Sequence, residues 1–474
     1  MNRFAAVALA IAALASSVAA EAASETVLIQ DVTVIPMTED GGAIEHQDVL
    51  ILDQKFNAIG PTGTLQTPIG LTPIDGRGKF LIPGLGDAHV HLPYQTEITD
   101  ATFAQEDPQV LFNLFVAHGV TFVRNMGGSD YALQLRDEID GGERLGPTVF
   151  TVGPMLSGTD TGLFQSLGED ADVDQIVADH KAKGYDAIKI HTQPNRDAFV
   201  RLTKAAHEAN LPIVGHVPFT VGLTQTLEAR LDRIEHIDLF SITIAADDAP
   251  GTGKGWPAMM ERYNHPDKTK IAPLAKVLIE NDVVLVPTLA TTKIGEMSKD
   301  EVKALIDSES LANRTTQKLR DHWASRWLGE MQTYERAGLN LPGMTETPKL
   351  ILERFIDAGV PMIAGTDTPA VPMIAGLALH EELADYVAAG MTPKQAIASS
   401  TSELAKAMWL EGEFGQIKPG LRADAVLLSA NPLEDIANTQ KIDAVLLRGK
   451  LLDREALDGL IDEVDTITNA IIPQ

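Results

Sequence analysis

Six residues of this 474-residue chain are of types that bind metal ions, and each interrupts an otherwise apolar run. They are His89 and His91 in Gly86-Asp87-Ala88-His89-Val90-His91, Lys189, His216 in Gly215-His216-Val217, His236 in Glu235-His236, and Asp367 in Gly365-Thr366-Asp367. Alternate side chains of an extended strand share a face, so His89 and His91 point the same way. Taken alone, that pair reads equally as two metal ligands or as two hydrogen-bonded core histidines. A lone His216, His236 or Lys189 reads more simply as packing or an ion pair, and Asp367 before Thr368-Pro369 as a turn carboxylate. Together they are hard to explain as packing, because each unpaired buried polar group costs free energy. The chain has 12 His and no Cys, which excludes disulfides, thiolate metal sites and Cys nucleophiles. Any metal must then be held by His, carboxylate or a modified Lys.

The six residues sit in a repeating rhythm. Short apolar runs rich in β-branched residues cover Phe80 to Leu92, Val120 to Gly127, Thr148 to Met155, Ala187 to Thr192, Pro212 to Val217, Arg233 to Ile237, Val283 to Leu289 and Pro361 to Thr368. Segments of helical periodicity separate most of them, including Gln105 to His118, Val173 to Lys183, Arg196 to Ala209, Ile271 to Glu280, Lys349 to Ala358 and Leu377 to Ala389. Eight βα units predict an α/β fold, a (β/α)8 TIM barrel, and all six residues fall at the carboxyl ends of strands, where such barrels place their chemistry. Two intervals, Ser241 to Lys270 and Ala290 to Lys349, are too long for plain crossovers and are expected to be lid or oligomer-contact insertions. At the chain ends, Thr26 to Pro36 and Asp48 to Ile59 alternate apolar with polar residues, while Asp424 to Ser429 and Asp443 to Arg448 nearly repeat each other. Both ends are expected to complete one small β-sandwich. The predicted organisation is a signal peptide over 1–22, sandwich segments at 23–80 and 410–474, and the barrel at 81–409.

Hydrophobic residues at 44% and charged residues at 22% exclude a disordered, collagen-like or multi-span membrane chain. A net charge of −28 repels phosphate backbones and anionic lipid, so neither nucleic acid nor an anionic membrane is expected as partner. Arg3, the apolar run Phe4 to Leu14 and the small residues up to Ala22 read as a cleaved secretory signal, placing the protein outside the cell or in a periplasm. The run is short of the roughly 20 residues of a bilayer span, and no Cys could carry a lipid, so no stable membrane anchor is expected.

Several stretches carry a family likeness. Leu81-Ile82-Pro83-Gly84-Leu85 before the paired histidines, Gly119-Val120-Thr121 before Arg124, Gly215-His216-Val217-Pro218, Ile234-Glu235-His236, Ala364-Gly365-Thr366-Asp367, and Gly415-Gln416-Ile417-Lys418-Pro419-Gly420 leading into Ala423-Asp424 resemble the amidohydrolase superfamily. The likeness is to its secreted branch, related to imidazolonepropionases and Xaa-Pro dipeptidases, and covers nearly everything after the signal. It implies that His89, His91 and Asp367 hold one divalent ion, that His216 and His236 hold a second, and that Lys189 bridges them as a carbamate. The modification makes physical sense: an ammonium beside two cations is repelled, whereas CO2 addition turns it into an anionic ligand. Nitrogen and oxygen ligation suits Zn2+, with Mn2+, Co2+ and Fe2+ as alternatives. The implied chemistry is attack on a carbonyl by a metal-bridging hydroxide, the pKa of its parent water lowered from about 15.7 towards about 7, with Asp367 taking the proton and passing it to the leaving nitrogen. The implied substrate is a small amide or peptide, a dipeptide such as Xaa-Pro or an N-acyl amino acid, and the implied assembly a homo-oligomer.

The substrate residues are less marked. Arg124 is open to two readings, a bidentate clamp on a substrate carboxylate or an internal ion pair. His191 shares a strand face with Lys189 and is expected to reach the substrate. Tyr263, His265, Trp256 and Lys254 lie in the first long insertion, as substrate contacts or as a solvated loop, and His380-Glu381-Glu382 reads as structural. Two other functions remain open: a mononuclear cyclic-amide or lactone hydrolase, and a periplasmic binding protein without catalysis.

Overall fold

The computed structural model describes residues 26–39, 41–93, 106–160, 164–250, 260–336 and 343–470; the expected signal peptide, Trp256 and Lys254 lie outside the described residues. Along the chain, β1 (Val27–Val34), β2 (Ile44–Leu52), β3 (Lys55–Pro61), β4 (Ile74–Asp75) and β5 (Phe80–Pro83) come first. Next are β6 (Leu85–Val90), β7 (Val120–Asn125), β8 (Thr148–Thr151), β9 (Met155–Ser157), β10 (Phe164–Ser166), β11 (Ile188–Ile190), β12 (Ile213–Gly215), β13 (Arg233–Glu235) and β14 (Val284–Val286). The chain closes with β15 (Ala425–Leu428), β16 (Ile442–Leu447) and β17 (Lys450–Asp453).

Both chain ends do meet, but their strands hydrogen-bond into one eight-stranded sheet, in the order β17-β16-β15-β5-β1-β2-β3 with β4 beside β1, rather than into two separately bonded sheets. The alternation along β15 shows why the sheet needs cover on both faces. Ala425 and Leu427 pack with Val27, Ile29 and Leu81 in one apolar cluster, whereas Val426 and Leu428 join the large central core. The first expected strand, Phe80 to Leu92, is in fact two: β5 belongs to this sheet and β6 to the next. Gly84 lies at the break, where a Cβ would come within 2.2 Å of Thr121 Oγ1.

The remaining strands are parallel and form two sheets, β6-β7-β8 and β10-β9-β11-β12-β13-β14. Isolated parallel bridges Val152↔Ala187, Leu285↔Met362 and Val90↔Thr368 connect them. The predicted eighth strand, Pro361 to Thr368, lies between β14 and β6 and hydrogen-bonds to both, but it is not a regular strand: its bridges are the isolated ones at Met362 and Thr368. Contacts with distant parts of the chain explain the loss of pleat. A Cβ on Gly365 would meet Val286 Cγ1 at 2.6 Å, Asp367 has φ +62°, and Thr366 Oγ1 donates to the buried Asp87 carboxylate at 2.7 Å.

Helices Val173–Lys183 and Ile271–Glu280 form at the bounds their periodicity predicts. The first is fixed at both ends, Asp172 accepting from Gln175 N and Gly184 taking the left-handed C-cap at φ 82°. The helix Pro393–Ser399, just before the Ser400 that hydrogen-bonds to Gly86, begins with a reciprocal capping box between Thr392 and Gln395. Thr392→Ala is expected to lower global stability by about 1 kcal/mol in urea denaturation, with an unchanged m-value.

The second insertion carries helices Lys299–Ile306, Glu309–Ala312 and Gln317–Arg336 and has its own apolar cluster, in which Val302, Ile306, Leu319, Trp323 and Trp327 pack with Val371. Trp323 Nε1 donates to Pro369 O at 2.9 Å, fastening the insertion to the loop that follows Asp367. Among the described residues, no helix is long and apolar enough to cross a membrane.

Candidate metal centre

The carboxyl ends of β6, β11, β12 and β13 and the irregular stretch ending in Asp367 bring the six sequence-predicted residues into one neighbourhood. His91 Nε2 lies 2.9 Å, and His89 Nε2 3.3 Å, from Asp367 Oδ1. A donor atom from each of His89, His91 and Asp367 lies within 4.8 Å of the other two. The rings continue outward from this group, with centroids 4.7 Å apart for His89 and His236, 4.6 Å for His236 and His216, and 4.4 Å for His216 and His191.

Backbone conformations that are unusual for these residue types hold this arrangement. His236 and Asp367 sit at φ +68° and +62°. Such strain persists only where surrounding structure enforces it. His236 Nδ1 is 2.8 Å from Thr288 Oγ1, and Thr288 is itself at φ +51°. Glu382 then anchors the next two residues, accepting from Leu289 N and Ala290 N at 2.9 Å each. At the end of β12 Gly215 has φ +141°, and a Cβ there would lie 2.1 Å from Ile190 O, so the turn presenting His216 admits only glycine.

Electrostatics point the same way. Burial pushes Asp367 up, but the neighbouring His89 and His91 outweigh it and hold the carboxyl well below its usual range. Burial, reinforced by Lys189, takes His89 down to about 4, and burial takes Lys189 down to about 8. Lys189 Nζ, His216 Nδ1 and His89 Nε2 are buried and have no hydrogen-bond partner among the described residues. Orphaned buried nitrogens of this kind call for an occupant. A set of imidazole nitrogens, one carboxylate and one amine of lowered pKa fits divalent cations and excludes a soft, thiolate-seeking metal.

Three of the expected substrate contacts have partners within the chain. Arg124 is fully buried, its Nη2 donating to Glu235 Oε1 at 2.6 Å and its Nε to Ala88 O at 2.5 Å, so of the two readings the internal ion pair is formed. Tyr263 is also fully buried, its hydroxyl donating to Asp238 Oδ2 at 3.1 Å while its carbonyl accepts from Thr347 Oγ1. It ties the two insertions together. His265 turns to Glu261, 3.3 Å away, within the first insertion. His191, the residue after β11, stands in the ring row between His216 and Phe164. The sequence reading gave Glu235 no role, although a Glu and an Arg each inside an apolar strand run was the available sign of the buried pair that they form.

Parallel strands that deliver four histidines, a lysine and an aspartate to one polar centre define an α/β protein with a metal-capable site. The sequence profile of the amidohydrolase family matches residues 80–452, and the chain belongs to that family. Its members are generally metal-dependent, and membership makes this chain a hydrolase of amide bonds with a TIM-barrel-like α/β fold. No curated protein matches the sequence. Among solved structures, it is similar to a Xaa-Pro dipeptidase with methionine bound in the active site, at 22% identity and TM-score 0.62 over 90% of this chain and 100% of that one. It is also similar to a bottromycin amidohydrolase, at 20% identity and TM-score 0.65 over 94% and 91% of the two chains. A molinate hydrolase follows at 18% identity and TM-score 0.66, over 95% and 97%.

Proposed function

We propose that this chain is an exported, binuclear metal-dependent hydrolase that cleaves the C–N bond of a dipeptide such as Xaa-Pro or of an N-acyl amino acid. The observation that carries the reading is the buried, unpartnered Lys189 Nζ, in a neighbourhood that also holds His89, His216, Glu235 and Asp367. The circuit of parallel bridges supports closure of the strands into a (β/α)8 barrel with this centre at its carboxyl end. His89, His91 and Asp367 would hold one ion and His216 and His236 the other, with Lys189 joining them once carbamylated; zinc suits the donors best. Bound divalent ions supply Lewis-acid polarisation of a carbonyl and lower the pKa of water.

The chain's own residues do the rest. Asp367 is kept ionised by His89 and His91, so it starts the cycle able to accept a proton from water and ends it by delivering that proton to the leaving nitrogen. His191, beside His216, lines the approach for substrate. The dipeptidase and amidohydrolase names among the structural relatives support a small amide substrate, and the sequence over 1–22 supports export. A homo-oligomer is proposed on family resemblance alone.

The test is metal per chain by elemental mass spectrometry on protein purified without chelator, in bicarbonate buffer, followed by a panel of Xaa-Pro dipeptides and N-acyl amino acids. About two ions per chain and turnover on the panel are expected. The close grouping of His89, His91 and Asp367 favours a second reading, a mononuclear cyclic-amide or lactone hydrolase, which about one ion and turnover of lactones or cyclic amides would select. No metal and no turnover after adding Zn2+ or Mn2+ would leave a binding protein. A companion prediction concerns the lysine: chelator-stripped protein given Zn2+ should regain activity several-fold faster with bicarbonate than in CO2-depleted buffer. Equal recovery in both would remove the carbamate.

A further inference from the structure

Glu235 is outside the proposed ligand set, yet it is fully buried and bound to two charged or ionisable partners. Its Oε2 lies 2.8 Å from His89 Nδ1, and its Oε1 accepts from Arg124 Nη2 at 2.6 Å. Arg124 in turn donates from Nε to Ala88 O, the carbonyl just before His89, at 2.5 Å. The His89, Glu235 and Arg124 side chains are 1%, 0% and 0% exposed, so water cannot substitute for any of these bonds. The group joins three strands: Glu235 ends β13, Arg124 lies on β7, and Ala88 and His89 lie on β6.

A neutral imidazole carries one proton on its two nitrogens, so the partner of one nitrogen decides what the other can do. A carboxylate can only accept. Glu235 faces Nδ1 at hydrogen-bond distance, 2.8 Å, whereas Asp367 Oδ1 lies 3.3 Å from Nε2 and forms no hydrogen bond with it, so the proton sits on Nδ1 and Nε2 keeps its lone pair. Two of the proposed ligands differ from His89 in this respect. His236 Nδ1 meets the Thr288 hydroxyl, which can donate or accept and so fixes neither tautomer, and His216 Nδ1 has no hydrogen-bond partner among the described residues.

We propose that Glu235, locked in place by Arg124, is the positioning residue that holds His89 as its Nδ1–H tautomer with Nε2 free to bind metal. The pair thereby sets the metal affinity of the centre formed by His89, His91 and Asp367 without touching metal or substrate. The inference rests on the metal reading of the site.

Its test is titration of chelator-stripped protein with Zn2+ against a competing chelator, and with Co2+ followed by its visible spectrum. Glu235→Gln should weaken Zn2+ binding about 10- to 100-fold, as loss of a partner behind a metal-binding histidine does, and shift the Co2+ bands. That variant strands the Arg124 charge and can unfold for that reason alone. The double variant Arg124→Met with Glu235→Gln removes the charges together. A purely structural role predicts that it recovers wild-type affinity along with stability, whereas positioning predicts recovered stability and affinity still lowered at least tenfold. Glu235→Asp keeps both charges and withdraws the carboxylate by one carbon; it should weaken Zn2+ and alter the Co2+ spectrum too. Wild-type affinity and spectrum in any folded variant of this set overturn the inference while the metal reading stands. A wild-type chain that takes up neither ion overturns the metal reading, and this inference with it.

Discussion

Asp367→Asn is expected to retain the fold and lose about 10²- to 10⁴-fold in kcat at saturating Zn2+, the usual contribution of a positioned general acid or base. Asparagine is the informative replacement. Residue 367 sits at φ +62°, a conformation that Asn tolerates and a β-branched residue would not, so the backbone cost of the change is small. The amide keeps the size of the carboxylate but cannot accept a proton. Because Asp367 lies beside His89 and His91, the variant will also bind metal less tightly, and titrating Zn2+ to saturation separates the two losses. Activity within tenfold of wild type at saturating metal would take proton transfer away from Asp367 and leave it a ligand only.

That carboxylate was visible in the sequence for the same reason that it matters. A polar residue at the end of an apolar run must have a compensating environment, and the chain shows six such interruptions at strand ends, all of which the fold gathers into one neighbourhood. Helices such as Val173–Lys183 and Ile271–Glu280 were legible because period and caps are local properties. What stayed hidden depended on register between distant strands. Nothing in the neighbourhood of Arg124 says that its guanidinium meets Glu235, 111 residues on, rather than a substrate carboxylate. Tyr263 and His265 lay in a polar insertion where either a substrate or another part of the chain could face them, and it is Asp238 and Glu261 that do. The eighth strand was misjudged in regularity because the ties between Thr366 and Asp87 and the crowding around Gly365 are tertiary. The two chain ends were correctly paired from their alternation, but alternation gives the faces of a strand and not the sheet in which its edges bond.

Trp323→Ala is expected to give the largest loss of local stability outside the centre, about 3 to 5 kcal/mol, by emptying a fully buried indole site. The loss should be regional. Trp323 packs in the insertion's own cluster with Val302, Ile306 and Leu319, separate from the large central core, so the helices Lys299–Ile306 and Gln317–Arg336 can open while the parallel sheets stay folded. Hydrogen exchange followed by mass spectrometry should therefore show deprotection of these two helices with little change in β11, β12 or β13. The centre should feel it through the loop after Asp367. Trp323 Nε1 and Trp327 Nε1 donate to Pro369 O and Ala370 O at 2.9 and 3.4 Å, and Ala370 N donates to Asp367 O at 2.8 Å. Releasing the first of these bonds loosens the backbone that sets the position of Asp367, so kcat should fall by roughly tenfold or more even with metal saturating, given how steeply catalysis depends on placement. Trp323→Phe retains most of the packing but leaves Pro369 O without its indole donor, so it should keep the helices protected and still lower kcat. Full activity in the Ala variant alongside deprotected helices would show that the insertion does not hold Asp367 in place.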